Sequence, residues 1–235
     1  MNEFHYSGTN TLEVMANAKR YNAFLEKLIV KHIPASGKVL DIGAGIGTFA
    51  QKMRSKGYNV CCIEPDDAQG KQLEAAGLPV SASVEDMADS SVDYIYSLNV
   101  LEHIEDDAEA LAQWAKKLKP EGKILVYVPA FNVLYSSHDK AIGHYRRYRK
   151  KTLAGCFANA GLRIETIRYA DSAGFFVSLV YKWVNSSGKL SSGSVALFDR
   201  LIFPVSRLCD FFCSGLFGKN VYAIGTPKVA SKKAQ

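Results

Sequence analysis

The chain is short of the features that would mark it as secreted, membrane-spanning or metal-stapled. Its cysteines, Cys61, Cys62, Cys156, Cys209 and Cys213, are odd in number and show none of the paired spacings of zinc or redox sites. A disulfide framework is therefore not expected, and a reducing cytoplasm fits best. Long apolar runs are missing: the longest, residues 174–184, contains Lys182 and falls well short of the roughly 20 residues that cross a bilayer. The stretch MNEFHYSGTNTLEVMANAKRYN lacks a basic start followed by an apolar core, so neither signal peptide nor anchor is expected there. Charge is moderate, at a formal +6, and part of it falls on Lys228, Lys232 and Lys233 in a tail expected to be flexible. A nucleic-acid partner does not follow. What remains is ordinary globular composition, 235 residues with 48% apolar and 22% charged, enough for one α/β domain and too little for two large ones.

Over residues 38–128 short β-rich runs (KVLDI, NVCCIE, PVSAS, VDYIYSL, KILVYVP) alternate with helical stretches at 48–56, 67–76 and 106–118, the last closed by Pro120. That rhythm predicts βαβ units around a parallel sheet. A further helix at 151–160, closed by Gly161, and the runs LRIETIRYA and VYAIGTP bring the strand count to seven. The fold expected is a doubly wound, Rossmann-like α/β sheet with helices on both faces. Its parts are an N-terminal helical segment (1–34), a core (36–170), a helical insert (171–219), a last strand (220–227) and a tail (228–235). An amphipathic helix over residues 10–32 is an ordinary reading of the N-terminal segment. Within the insert, residues 195–217 place Asp199, Arg200, Ser206, Arg207, Asp210 and Ser214 on one arc of roughly 120° and leave the rest of the wheel apolar. Phe203 falls on the polar side, and Pro204 is expected to kink or split the helix.

The sharpest local signal is Asp41-Ile42-Gly43-Ala44-Gly45-Ile46-Gly47, where the run VLDI turns into a helix. Residues without a Cβ let the chain bend sharply and bring its backbone against a ligand at a helix N-terminus. A plain tight turn and a dinucleotide site are the alternatives, but Thr48 stands where the dinucleotide fingerprint GxGxxG requires glycine. The second strand ends at Glu64-Pro65-Asp66, and a carboxylate there accepts both hydroxyl protons of a ribose diol.

Taken together, VLDIGAGIGTFA, IEPD, SVEDM and SLNVLEHIED resemble successive motifs of the class I S-adenosylmethionine-dependent methyltransferases, over about residues 20–129. The resemblance implies S-adenosyl-L-methionine as cofactor and a sheet whose last strand is antiparallel. It assigns Asp41, Gly43, Ala44, Gly45 and Gly47 to the methionine part, and Glu64 with Pro65 to the ribose. Val84 and Glu85 fall beside the adenine, although Ser83 stands where many members carry an aspartate. Asn99 and Val100 line the floor under the sulfonium. Apart from the resemblance, Tyr6, Tyr21 and Asn22 precede the first strand and are candidates to fold over the cofactor, with an ordinary helix over residues 10–32 as the equal alternative. RYN at 20–22, LYSSHDKAIGHYRRY and LFDRLIFPVSRL resemble a bacterial subgroup with poorly defined acceptors.

The loop after the fifth strand carries His138, Asp139, His144, Tyr145, Arg146 and Arg147. It leaves the sheet at the cofactor edge, where loops carry function. His138 or His144 is the preferred general base. His103 is a third candidate whose other reading is packing or helix capping. Asp139, Tyr145, Arg146 and Arg147 are the candidate acceptor contacts, the arginines because a guanidinium grips phosphate with two bonds. No metal site is expected. The acceptor expected is a small molecule or a lipid-linked one, anionic if the arginines touch it. The wide apolar arc and the run GFFVSLVYKWV allow three roles for residues 174–217: a lid, a dimer contact, or peripheral contact with the inner membrane surface. Oligomeric state stays open. The rival functions are an NAD(P)-dependent oxidoreductase and a non-catalytic cofactor-binding module.

Overall fold

A computed structural model of the chain describes residues 8–184 and 191–228. Seven strands, β1 (Lys38–Ile42), β2 (Asn59–Ile63), β3 (Val80–Ser81), β4 (Val92–Leu98), β5 (Leu118–Pro129), β6 (Leu162–Ala170) and β7 (Asn220–Pro227), form one sheet in the order β3-β2-β1-β4-β5-β7-β6. β7 runs antiparallel to β5 and β6, and the other pairings are parallel. The chain enters at β1, works out to β3, then returns to β4 on the other side of β1, so the crevice between the β1 and β4 ends is the switch point where such sheets hold ligands.

Helices α1 (Thr9–Ala16) and α2 (Lys19–Val30) precede the sheet, and α3 (Ala50–Ser55), α4 (Asp67–Ala75) and α5 (Asp107–Lys117) link its first strands. α6 (Ser137–Ala141) and α7 (Lys150–Asn159) follow β5, and α8 (Ser172–Val184), α9 (Ser192–Leu197) and α10 (Phe203–Cys213) lie between β6 and β7. The strands read as near-continuous apolar runs because helices cover both faces. Alternation along β1 sends Leu40 to one core, with Trp114 and Phe157 of α5 and α7, and Val39 to the other, with Ile29, Met53, Leu73 and Phe203 of α2, α3, α4 and α10. The helix boundaries follow capping chemistry. Asp66 accepts from Gln69 N (3.0 Å) at the start of α4, Asp106 from Glu109 N (3.1 Å) at the start of α5, and Gly161 leaves α7 at φ +70°, in the left-handed region that suits glycine.

Several expectations need correction. β3 has two residues where PVSAS suggests five, and α5 ends at Lys117 with β5 beginning at once, so Pro120 lies in the first stretch of a strand where the β4–β5 register shifts. The single helix expected over residues 10–32 is two, α1 and α2. The Asn22 amide donates to Met15 O (2.9 Å) and Ala16 O (3.1 Å), satisfying carbonyls at the end of α1. Tyr6, residues 185–190 of the insert and 229–235 of the tail lie outside the described residues.

The insert turns the two carboxylates and Ser206 of its polar arc inward and leaves Arg200 and Arg207 of that arc exposed. Asp199, Ser206 and Asp210 are buried, whereas Leu208, Phe211 and Phe212 are exposed. Helix starts elsewhere in the chain demand this. Asp199 accepts from Arg20 N (3.0 Å) and Tyr21 N (2.8 Å) in the first turn of α2, and Asp210 accepts from Asp171 N (3.1 Å) and Ser172 N (2.8 Å) at the start of α8. Ser206 Oγ accepts from Ala173 N (2.9 Å) and donates to Asp171 (2.7 Å). Phe203, which shares the polar side, is buried accordingly against Tyr21, with ring centroids 5.4 Å apart. The helix is not cut at Pro204. A π-helical turn over Phe198–Ile202 leads into α10, and the proline sits in the first turn, where a missing N–H costs little.

Candidate active site

The β1, β2 and β4 ends converge on the glycine loop. Gly43 N (2.9 Å) and Ala44 N (3.2 Å) donate to Ile63 O at the end of β2. Gly43 has φ +72°, and a Cβ there would strike Val100, so the residue must be glycine for both backbone and contact reasons. Gly45 (φ +56°) is approached by Leu12 of α1, 3.0 Å from where its Cβ would lie, so α1 packs against the loop. Asn99 (φ +55°) is exposed just past β4, its N–H bonded to Tyr127 O (2.7 Å). The Tyr21 hydroxyl lies 3.3 Å from that of Tyr127, with Asn99 beside it. Val84 is buried and Glu85 exposed in a short turn capped by the Ser83 hydroxyl, with Ser83 and Glu85 hydrogen-bonded to each other. Pro65 follows Glu64 at the surface.

Two buried carboxylates flank this loop. Glu64 accepts from Gly45 N (2.7 Å) through one oxygen and Asp66 N (3.0 Å) through the other, and burial pushes its pKa up against those two bonds. Each oxygen keeps a lone pair for a further donor such as a ribose hydroxyl. Asp41 accepts from the Tyr96 hydroxyl at 2.8 Å, and burial, eased by that bond and reinforced by the Glu64 charge, brings its pKa up to about 7. No lysine or arginine occurs in residues 39–50. A cationic sulfonium amino acid with an uncharged nucleoside fits this setting, whereas a pyrophosphate would meet two carboxylates and no cation.

Beyond Val100 the chain turns through Leu101, Glu102 and His103 and meets the loop after β5. His144 Nδ1 lies 2.7 Å from Asp139 Oδ1, while its Nε2 faces Glu102 Oε1 at 3.7 Å, and the His103 ring packs edge-on at 4.5 Å between centroids. Asp139 also accepts from Arg147 Nε (2.8 Å) and Nη2 (3.0 Å) and from Ser136 N (2.9 Å). Burial works to raise the Asp139 pKa, but the bonds from His144 and Arg147 prevail and hold it well below the usual carboxylate range. Burial drives the His103 pKa down to about 4, helped by the nearby His144. Glu102 is fully buried with no hydrogen-bond partner on either oxygen among the described residues, and burial raises its pKa to about 8.

This geometry separates the acceptor candidates. Asp139, expected to touch the acceptor, is fully buried and spent on His144, Arg147 and Ser136, and the Arg147 guanidinium is taken up by Asp139 instead of standing free for phosphate. Asp139 thus bonds His144 directly, and Arg147 reaches it only through Asp139. Arg146 is partly exposed beside Asp107 (3.0 Å), and Tyr145 is half exposed with the Arg146 guanidinium over its ring. His138 lies in the first turn of α6 and is not one of the three side chains, Glu102, His103 and His144, whose potential ligand atoms fall within 4.8 Å of one another. Sequence reasoning missed Glu102 and Asp107. Their only signal is acidity next to apolar residues in LEHIEDDAEAL, and Tyr148, which donates to Asp107 at 2.6 Å, lies 41 positions away.

Residues 15–167 match the profile of a family described as a methyltransferase domain. An uncharacterized methyltransferase of a Mycobacterium species is 30% identical over 117 residues, 48% of this chain and 46% of that protein, so the match spans about half the length of this relative. A ubiquinone biosynthesis O-methyltransferase of Xanthomonas axonopodis is 29% identical over 61% of this chain and 70% of its own length. Among solved structures, a Thermotoga maritima SAM-dependent methyltransferase, described as a possible histamine N-methyltransferase, shares the fold with TM-score 0.63, 18% identity and coverage of 93% and 95%. A Streptomyces coelicolor geranyl diphosphate C-methyltransferase, solved with Mg2+, geranyl diphosphate and S-adenosyl-L-homocysteine, does so with TM-score 0.61, 14% identity and coverage of 92% and 84%.

Proposed function

The chain belongs to the methyltransferase-domain family, and from that premise we propose that it transfers a methyl group from S-adenosylmethionine to a small or lipid-linked acceptor, with His144 as general base. Bound in the crevice, the cofactor supplies an electrophilic methyl on a sulfonium. Asp41, Glu64 and the backbone of Gly43, Gly45 and Gly47 hold its amino acid and ribose, and Asn99, Val100 and Tyr21 shape the floor and cover. These groups align the methyl with the incoming atom, and positioning of that kind supplies roughly 7–11 kcal/mol of an in-line displacement.

The observation that carries the base assignment is the Asp139–His144 pair at 2.7 Å. Asp139 fixes the proton on Nδ1 and leaves Nε2 to take one from an acceptor hydroxyl or amine. Arg147 holds Asp139 ionised through this cycle. Glu102, on the Nε2 side, is the next proton acceptor or donor in line. Arg146 and Tyr145, at the exposed mouth, are the acceptor contacts, and because Asp107 (3.0 Å) and Glu105 O (2.6 Å) already engage the Arg146 guanidinium, an anionic acceptor has to compete with them for it.

Calorimetry tests the cofactor: S-adenosylmethionine and S-adenosylhomocysteine bind, and NAD does not. NAD saturating the crevice in their place would sink the reading in favour of an oxidoreductase, and cofactor binding without turnover on any acceptor would favour a non-catalytic module. His144→Gln should lower turnover by about 10²–10⁴-fold with S-adenosylhomocysteine affinity intact. Full turnover in that variant removes His144 as base.

A further inference from the structure

We propose that the outer face of α8–α10 docks on the surface of an anionic lipid bilayer, with its apolar side chains in the headgroup layer. All but Val133 and Tyr145 of the exposed large apolar side chains among the described residues lie on α8, α9, α10 and the turns joining and following them. Leu208 (71%), Phe211 (80%), Phe212 (76%) and Leu216 (73%) are almost as open as in an unfolded chain. A contiguous apolar face of this kind on a folded protein marks a contact surface. No helix of the described residues is long and apolar enough to cross a membrane, so the face lies along a bilayer and does not span it.

The charges choose the occupant. The acidic side chains of the described insert, Asp171, Asp199 and Asp210, are all buried, each accepting bonds at a helix start. Its exposed charges are Lys182, Arg200 and Arg207, of which Arg207 is already paired with Asp210 (2.7 Å) and lies over the Phe24 ring, so that Lys182 and Arg200 are the cations it offers to headgroups. At the margins the Lys150 ammonium reaches Gly215 O (2.5 Å), the start of α2 adds exposed Lys19 and Arg20, and α1, packed on α9, adds exposed Glu13. An apolar centre with a cationic border complements anionic headgroups. A second copy of this face does not suit it, because a two-fold interface would set these arginines and Lys182 against themselves with no carboxylate of the face opposite.

A row of aromatic rings links the face to the acceptor site. Phe131, first residue after the β5 end and its flanking Ala130, meets Phe175 at 5.4 Å, Phe175 meets Phe176 at 5.4 Å, and Phe176 meets Phe217 at 5.4 Å between centroids. An acceptor carried by a lipid tail would thus enter from the bilayer side; this last step rests on the methyl-transfer reading, whereas the docking does not.

Flotation of the full-length protein with vesicles tests it, using phosphatidylcholine mixed with phosphatidylglycerol against phosphatidylcholine alone. The protein should float with the anionic vesicles, less with the neutral ones, and progressively less as salt rises. Phe211→Ser with Phe212→Ser should lower the partition coefficient about a hundredfold, since two rings leave the interface, and Leu208→Glu should act in the same direction. No flotation with anionic vesicles at low salt, unchanged flotation of the double variant, or a solution dimer dissolved by Leu208→Glu would overturn the proposal. S-adenosylhomocysteine affinity, measured on the same samples, keeps the two readings apart: its loss with flotation intact strikes the enzyme assignment, and its survival with flotation absent strikes the docking.

Discussion

Asp41 offers a test of the cofactor site that needs no knowledge of the acceptor. Its carboxyl is 4% exposed, bonded to the Tyr96 hydroxyl at 2.8 Å, and burial brings its pKa up to about 7. S-adenosylhomocysteine carries an ammonium, and S-adenosylmethionine a sulfonium as well, so the complex favours ionised Asp41 and binding expels its proton. The free protein then holds more protons than the complex, which makes affinity rise with pH. For a group titrating near 7, about a tenth is ionised at pH 6 and about nine-tenths at pH 8, which is about a tenfold gain in affinity, or about 1.4 kcal/mol. Glu64, also raised, adds to the same sign. Calorimetry in two buffers of different ionisation enthalpy should show proton release below neutrality, and Asp41→Asn should remove the tenfold rise and leave only the release that Glu64 contributes. Wild-type affinity that stays level from pH 6 to pH 8, or an Asp41→Asn variant that keeps the rise, refutes the argument. Folding follows the same linkage. With its folded pKa above the unfolded value of about 3.9, Asp41 contributes stability that is full below pH 4 and lost as pH rises through about 7, so Asp41→Asn should gain on the wild type at pH 8 in urea unfolding.

Gly43→Ala places a Cβ on Val100 at φ +72°, and should cost about 1–3 kcal/mol in urea unfolding along with cofactor affinity; adding Val100→Ala recovers the contact share but not the backbone share. An unchanged unfolding midpoint would contradict this. His103, with its pKa down at about 4, refuses a proton that the unfolded chain takes below about 6.5, so stability falls as pH drops from 6.5 towards 4; His103→Gln should flatten that limb by up to about 3 kcal/mol. Asp199→Ala removes the acceptor for Arg20 N and Tyr21 N and should cost about 1–2 kcal/mol, read most directly as faster hydrogen exchange at those two amides.

Features held within one short stretch were legible from the residues alone. VLDI, VDYIYSL and KILVYVP are read as strands because a sheet covered on both faces needs unbroken apolar runs, and the glycine loop is legible because left-handed backbone and close approach both select against a Cβ. Cap residues such as Asp66 and Asp106 mark the helix starts that follow them, each accepting from an amide three residues on. Glu102 was hidden in LEHIED, because its meaning depends on His144 arriving from a loop some 40 residues later. Arg147 likewise reads as a phosphate grip until Asp139 is seen to occupy it.

The helical insert marks the boundary between the two kinds of information. Its residue spacing determined that one arc of the helix is polar and the other apolar, just as local patterning elsewhere in the chain marked the strands and the glycine loop. Which arc faces inward was decided by tertiary structure, since the partners of Asp199 are the amides of Arg20 and Tyr21, 179 and 178 positions away. Spacing along a chain sets the angular position of a side chain, but a buried carboxylate is tolerated only where donors from another element meet it.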